Sequence, residues 1–366
     1  MTTILFAGGG TGGHLYPGLA IARALVRLDP AVRPYFVGAR RGIERDVLPQ
    51  SGFAYELLDL HPLYRSRPWE NWKTLRGALS AWRAIDERVR ADKPALVVGT
   101  GGYASGLALG YAVRHRIPIV IQEQNTFPGI TTRFFSRYAS QIHLGFPEAR
   151  LHLLSAKAAQ IYESGNPIEP PPADAGDKKK GRAAWDLPTD RGVVLLVYGG
   201  SQGSHALNSA VADWVKRGIP SELYIVWGTG RGNYDALASL ESERVKVRSY
   251  LSPVADAYRA ADIALSRAGA MATAELCAWG LPMILVPLPT AAADHQTANA
   301  RALSEAGAAE VIVQPLLSAD SIASAVSALT SSPALLAARS RLALERAHPT
   351  AAEDIATKIL ELAHLK

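Results

Sequence analysis

Short apolar runs recur along this chain, separated by stretches of helical periodicity. Residues 3–7, 33–37, 95–99, 117–121 and 140–144 are rich in Val, Ile and Leu. So are 193–198, 222–227, 244–249, 261–265 and 282–286. The runs are continuous rather than alternating, which suits parallel strands covered on both faces. The helical patterns between them complete βαβ units, so the pattern predicts an α/β protein. A boundary falls near Gly165-Asn166-Pro167, where Pro170-Pro171-Pro172 and Lys178-Lys179-Lys180-Gly181 read as an exposed linker. The opening then repeats. The strand 3–7 runs into Gly8-Gly9-Gly10-Thr11-Gly12-Gly13-His14, and the strand 193–198 runs into Gly199-Gly200-Ser201-Gln202-Gly203. Two doubly wound, Rossmann-like domains are expected, at 1–166 and 167–346. Their strand C-terminal ends should line one cleft.

A further helical pattern covers 69–90. Trp72, Leu75, Leu79 and Trp82 recur at 3–4 spacing, and Arg76, Arg83 and Arg90 repeat every seven residues beside them. Phe134-Phe135 lies between Arg133 and Arg137. Such a stripe can pack on a sheet, with its arginines snorkelling to water, or it can face an anionic membrane.

Charge sharpens that choice. The 366-residue chain carries a net charge of +6, but residues 1–166 hold 20 basic and 12 acidic side chains, a net of +8. The remainder is slightly acidic. The first half is the part expected to meet an anionic surface. Nucleic acid is not expected, because no recognised nucleic-acid-binding motif accompanies the charge. No signal peptide and no apolar run of about 18 residues are seen, so a cytoplasmic protein is expected. The single cysteine, Cys277, excludes an intrachain disulfide and reads as a small buried hydrophobe.

The candidate chemistry sits where strands end. A dense glycine turn lets backbone approach a ligand, and the helix after it offers free N–H groups. Gly8, Gly10 and Gly13 match a dinucleotide fingerprint. The acid expected after the second strand is missing there, and Arg40 and Arg41 leave only an NADP-like reading open. In the second half, Ser266-Arg267-Ala268-Gly269-Ala270-Met271 leads into a helix opening near Ala270. Its N–H groups suit a diphosphate, and Glu275, one and a half turns in, suits the two hydroxyls of a ribose. Asp294 is a plausible N-cap, with His295 and Gln296 as donors beside it. Gln122-Glu123-Gln124-Asn125 should lie at the end of the strand 117–121.

Taken together, Gly9–His14, Gly101-Gly102-Tyr103, Glu123-Gln124-Asn125, Gly165-Asn166-Pro167, Gly199–Gly203, Ser266–Ala270 with Glu275, and Asp294-His295-Gln296 with Asn299-Ala300 resemble the MurG family. These bacterial enzymes add N-acetylglucosamine to a lipid-linked muramyl-peptide during peptidoglycan synthesis. The resemblance implies a GT-B fold, with a C-terminal helix within 347–366 returning to the first domain. It implies UDP-N-acetylglucosamine as donor and a polyprenyl-diphosphate-linked muramyl-peptide as acceptor. A peripheral position on the cytoplasmic face of the membrane follows. Glu275 would hold the ribose and Ala270 and Met271 would approach the diphosphate. Ser201 and Gln296 would complete the donor pocket, with Leu251 near the uracil. Thr11, Gly12, Gly13 and Asn125 would reach the sugar. Four positions depart from the usual pattern. Gln122 stands where a histidine is usual, Glu169 where an arginine is common and Ala272 where threonine is frequent. The loop 61–67 replaces a basic, glycine-containing one.

An inverting transfer needs one base for the acceptor hydroxyl. His14 is the first choice, since imidazole as a class titrates near neutrality, and Glu123 the second. No Asp-x-Asp pair occurs, so no metal and no other cofactor is expected. Helix N-termini would stabilise the leaving diphosphate. Other readings are a different UDP-sugar transferase, a UDP-sugar epimerase, or a binding protein without catalysis.

Overall fold

The computed structural model describes residues 2–61, 71–200 and 202–364, with backbone alone for 71–75. Ser201 and the side chains of Trp72 and Leu75 therefore lie outside the described residues, as does most of the loop 61–67. The chain divides into two compact units, Met1–Glu169 with His348–Lys366, and Pro170–Ala347.

In the first unit the described strands are β1 (Thr2–Gly8), β2 (Val32–Ala39), β3 (Ala54–Leu58), β4 (Leu96–Gly101), β5 (Ile119–Glu123), β6 (Gln141–Leu144) and β7 (Gln160–Tyr162). All pair in parallel, in the order β3-β2-β1-β4-β5-β6-β7. The second unit has β8 (Val193–Tyr198), β9 (Leu223–Gly228), β10 (Val245–Arg248), β11 (Ile263–Ser266), β12 (Met283–Leu285) and β13 (Ala309–Val311). These too are parallel, ordered β10-β9-β8-β11-β12-β13. Each sheet reverses its winding beside its first strand, at β1/β4 and at β8/β11. Ligands of doubly wound sheets bind at such switch points, and each glycine turn leaves the strand that borders one.

Three strands, β3, β7 and β13, were not expected from the apolar runs. All three are sheet edges. A strand at an edge is covered on fewer sides, so Ala-Tyr-Glu-Leu-Leu, Gln-Ile-Tyr and Ala-Glu-Val need no continuous apolar run.

The first sheet is covered on both faces. On one, the helices Asn71–Asp92 and Tyr103–Arg114 bury Ala81, Ile85, Ala104, Ala108 and Leu109. On the other, the helix Gly12–Leu28 buries Leu15, Leu19 and Leu25 beside Ile355 and Ile359 of the returning helix Ala351–His364. Burial of each such aliphatic side chain stabilises by about 1.5–3 kcal/mol.

The stripe in Asn71–Asp92 needs correction. Its core face is Ala81 and Ile85, while Leu79 is 62% exposed and Trp82 is half-buried against Tyr111, ring centroids 5.0 Å apart. Leu79 and Trp82 therefore do not share one environment. A helix buries only the arc that meets the sheet, and the small residues Gly77 and Ala81 let it approach closely. The Cβ that Gly77 lacks would stand 2.2 Å from the Asp59 carbonyl oxygen. Among the described residues no single helix is long and apolar enough to cross a membrane.

Candidate active site

In the first unit the ends of β1, β4 and β5 bring together Gly8–His14, Gly101–Tyr103 and Glu123–Asn125. Gly10, Gly101 and Gly102 have φ of 87°, 97° and 74°, where a side chain is strained. The last two also make room for His14. A Cβ on Gly101 would stand 2.9 Å from the imidazole Nδ1, and one on Gly102 3.1 Å from its Cδ2. The His14 carbonyl accepts from Thr100 Oγ1 at 2.7 Å, and its Nδ1 lies 2.9 Å from Gln124 Oε1. Thr11 and Gly13 are exposed, while Gly12, His14 and Asn125 are half-buried.

Glu44 changes the reading of this turn. It is fully buried, and its Oε1 accepts from Gly10 N at 2.9 Å and Ala39 N at 3.1 Å. An acid does follow the second strand, five residues past Ala39, but it braces backbone rather than offering itself to a ribose. The Gly10 N–H is thus spent on a side chain of the protein and is not offered to a diphosphate. The dinucleotide reading of Gly8, Gly10 and Gly13 fails on this geometry.

Glu123 is also buried. Its Oε1 accepts from Asn125 N at 3.1 Å and Asn125 Nδ2 at 3.4 Å, and its Oε2 accepts from Gly129 N at 3.1 Å. Both oxygens close the 123–129 turn. Gln122 is fully buried, its amide nitrogen 3.2 Å from Asn166 Oδ1. The departure from histidine at 122 therefore alters a buried polar chain, not a group open to solvent. Glu169 is exposed at the end of the unit's first segment.

In the second unit the helix Ala270–Ala278 opens directly after the turn that ends β11, with Gly269 at its N-cap. Among the described residues, nothing beyond its chain neighbours lies within 4 Å of where a Gly269 Cβ would be, and its φ is −70°. Neither packing nor backbone strain there demands glycine. The turn is held from behind. Asn299 Nδ2 donates to the Ala268 carbonyl at 3.1 Å, and buried Arg267 donates to the carbonyls of Val286 and Pro287. Ala270 is buried and Met271 half-buried.

Glu275 sits on the second turn of this helix. Tyr258 Oη donates to its Oε2 at 2.5 Å, and Tyr198 Oη lies 3.4 Å from Tyr258 Oη. Burial pushes the Glu275 carboxyl above the ordinary range, and the Tyr258 bond pulls it back down. The phenols of Tyr258 and Tyr198 are raised by burial and by the nearby carboxylate. Tyr258 had no motif to mark it in the sequence. Its position, in the helix Val254–Ala260 ahead of β11, was the available signal.

Gln296 Oε1 accepts from Leu288 N at 3.0 Å, so its NH₂ is the end it can offer. Leu251 is buried against Gly228, whose absent Cβ would stand 2.9 Å from Leu251 Cγ. Asp294 occupies the N-cap position of the helix His295–Glu305, but its carboxylate accepts from the Thr297 hydroxyl at 2.6 Å and caps no backbone N–H. Its left-handed φ of 54° turns the side chain away from the usual cap geometry. His295 Nδ1 lies 2.7 Å from the Ala292 carbonyl oxygen.

Two parallel doubly wound sheets, each with a glycine turn at its switch point, give the chain the GT-B fold. Accordingly, residues 4–144 match the glycosyltransferase family 28 N-terminal domain and 194–355 its C-terminal domain. The chain is 39% identical to a Salinibacter ruber protein, covering 98% of this chain and 96% of that one. It is 37% identical to a Chlorobium phaeobacteroides protein, covering 98% and 99%. Both are named UDP-N-acetylglucosamine–N-acetylmuramyl-(pentapeptide) pyrophosphoryl-undecaprenol N-acetylglucosamine transferase. The crystal structure of Acinetobacter baumannii MurG superposes with a TM-score of 0.76 at 27% identity, covering 99% of this chain and all of that one. The chain belongs to the MurG family.

Proposed function

We propose that this protein moves N-acetylglucosamine from UDP-N-acetylglucosamine to the C4 hydroxyl of a lipid-linked N-acetylmuramyl-peptide, with inversion. The near-full-length kinship with transferases of that name carries the reading, and the geometry supplies the chemistry. Glu275 holds the ribose hydroxyls. The N-terminus of the helix Ala270–Ala278 takes the diphosphate, with Met271 beside it and Gln296 offering its NH₂. Leu251 lines the base end. Thr11, Gly12, Gly13 and Asn125 contact the sugar.

His14 takes the proton from the acceptor hydroxyl as that oxygen bonds to the anomeric carbon. The bond from that carbon to the diphosphate oxygen breaks, and UDP leaves with its charge stabilised by the helix dipole. Glu123 serves less well as base because both its oxygens already accept backbone N–H bonds.

The first unit also presents a surface suited to anionic lipid. Leu79 is exposed with Arg76 and Arg83 on the helix Asn71–Asp92. Ile130, Phe134 and Tyr138 are exposed too, with the Arg137 guanidinium 5.3 Å from the Phe134 ring centroid. Apolar groups ringed by arginines bind the interface of an anionic bilayer. A protein working on a polyprenyl-linked acceptor at the cytoplasmic face of the membrane needs such a surface.

The deciding experiment incubates the protein with UDP-N-acetylglucosamine and a short-chain lipid-linked muramyl-peptide. UDP release that requires the acceptor is expected. Release without acceptor, epimerised sugar, or binding without turnover would each overturn the reading.

A further inference from the structure

Among the described residues, the polar side chain at hydrogen-bond distance from the His14 imidazole is Gln124, whose Oε1 lies 2.9 Å from Nδ1. The chemistry of the surrounding groups dictates which way that amide points. Its nitrogen faces three oxygens, the carbonyl of Thr100 at 2.8 Å, the carbonyl of Gln122 at 3.1 Å and Gln122 Oε1 at 2.5 Å. Backbone carbonyls only accept, so the NH₂ must be the end turned toward them. Gln122 is held in turn. Its NH₂ donates to Asn166 Oδ1 at 3.2 Å, and Asn166 Nδ2 donates to the Gln124 carbonyl at 3.0 Å. Each amide in the chain is oriented by a backbone acceptor or by the next amide. Gln122, Gln124 and Asn166 are all buried, so water does not compete for these bonds.

The end left facing His14 is an amide oxygen, which can only accept. Nδ1 must therefore carry a proton to bond it. We propose that Gln124 is a positioning residue that fixes His14 as the Nδ1–H tautomer, leaving the Nε2 lone pair to take the proton of the acceptor hydroxyl. The proposal rests on the reading of His14 as base. Gln124 plays the part of the carboxylate that orients the histidine of a hydrolase triad, where the wrong tautomer removes most of the rate. Being neutral, it sets the tautomer without adding a charge beside the base. Gln122 and Asn166 act one step further back, by keeping Gln124 from rotating.

Nitrogen-15 spectra of the imidazoles in the intact, labelled protein test this directly, with His14→Asn used to assign the signal. At a pH where His14 is neutral, its Nδ1 should appear as the protonated, pyrrole-type nitrogen and Nε2 as the pyridine-type one. Gln124→Met keeps nearly the same volume and has no amide oxygen. It should lose the tautomer preference and lower kcat by at least about 10-fold, with the KM for UDP-N-acetylglucosamine changed less than about twofold. A wild-type spectrum showing the Nε2–H tautomer overturns the proposal, and that measurement needs no variant to fold. A folded Gln124→Met protein with unchanged tautomer and kcat overturns it as well. Full turnover by His14→Ala would instead overturn the base assignment beneath it, and the wild-type spectrum tells the two failures apart.

Discussion

A carboxylate that must stay ionised in a buried place depends on its donors, and Glu275 has one in Tyr258. If Glu275 accepts both ribose hydroxyls, Glu275→Gln removes charge-assisted bonds and should weaken UDP binding by about 1.5–3 kcal/mol, with folding little changed. Calorimetric titration of UDP checks this, and equal affinities would take Glu275 out of the site. Tyr258→Phe should weaken UDP binding by about 1 kcal/mol and also change its pH dependence. Burial raises the Glu275 pKa and the Tyr258 bond lowers it. Loss of that bond raises the pKa further, so the acid-side decline in UDP affinity should begin at higher pH in the variant. Parallel decline in both proteins would show that Tyr258 does not tune Glu275.

At the scale of elements, Arg76, Leu79 and Arg83 on the helix Asn71–Asp92 are exposed, as are Ile130, Phe134, Arg137 and Tyr138 in and just after the helix Ile130–Phe135. Charge reversal at Arg76, Arg83 and Arg137 should leave the core intact, because Ala81, Ile85 and Phe135 do the packing. Arg90 is a poorer target, since it pairs with Asp86 at 2.9 Å. Each basic residue near an anionic surface contributes about 1 kcal/mol, and salt screens it. Vesicles containing anionic lipid should therefore sediment the protein at low salt and release it at high salt. The triple replacement with Glu should stay in solution while binding UDP normally. Equal sedimentation with neutral vesicles would remove the electrostatic surface from the account.

Over the whole chain, the segment that returns at His348 completes the first unit. Ile355 and Ile359 are fully buried with Leu19 and Leu25 of the helix Gly12–Leu28. Ile355→Ala should cost about 2–5 kcal/mol, read from urea unfolding of that unit. The same helix is tied to the sheet where Gln141 Nε2 donates to the Lys358 carbonyl at 2.9 Å. Beside Gln141, buried His143 stacks on Tyr162 and bonds Ser164 Oγ at 2.9 Å. Burial lowers its pKa to about 3. The unfolded imidazole takes a proton near 6.5 and the folded one does not, so stability is full above that pH and falls as pH drops toward 3. The slope approaches about 1.4 kcal/mol per pH unit. Unfolding midpoints measured from pH 7 to pH 5 should fall accordingly, and His143→Phe should flatten the trend.

What the sequence determined by itself is what local chemistry dictates. Strands buried on both faces need continuous Val, Ile and Leu, so the interior strands were legible, while the edge strands β3, β7 and β13 were not. The helix opening at Ala270 and the glycine turns were legible because backbone freedom and helix termini leave residue-level marks. The order of those motifs along the chain points to the family without reference to any contact. Tertiary structure alone decided which polar groups meet. Glu44 reaches Gly10 across 34 positions and Gln124 reaches His14 across 110. No periodicity encodes such pairs, because they form where separate strands end side by side. The same holds for the face of Asn71–Asp92 that turns inward. A helix can present apolar groups on several arcs, and only the sheet it meets selects the one that is buried.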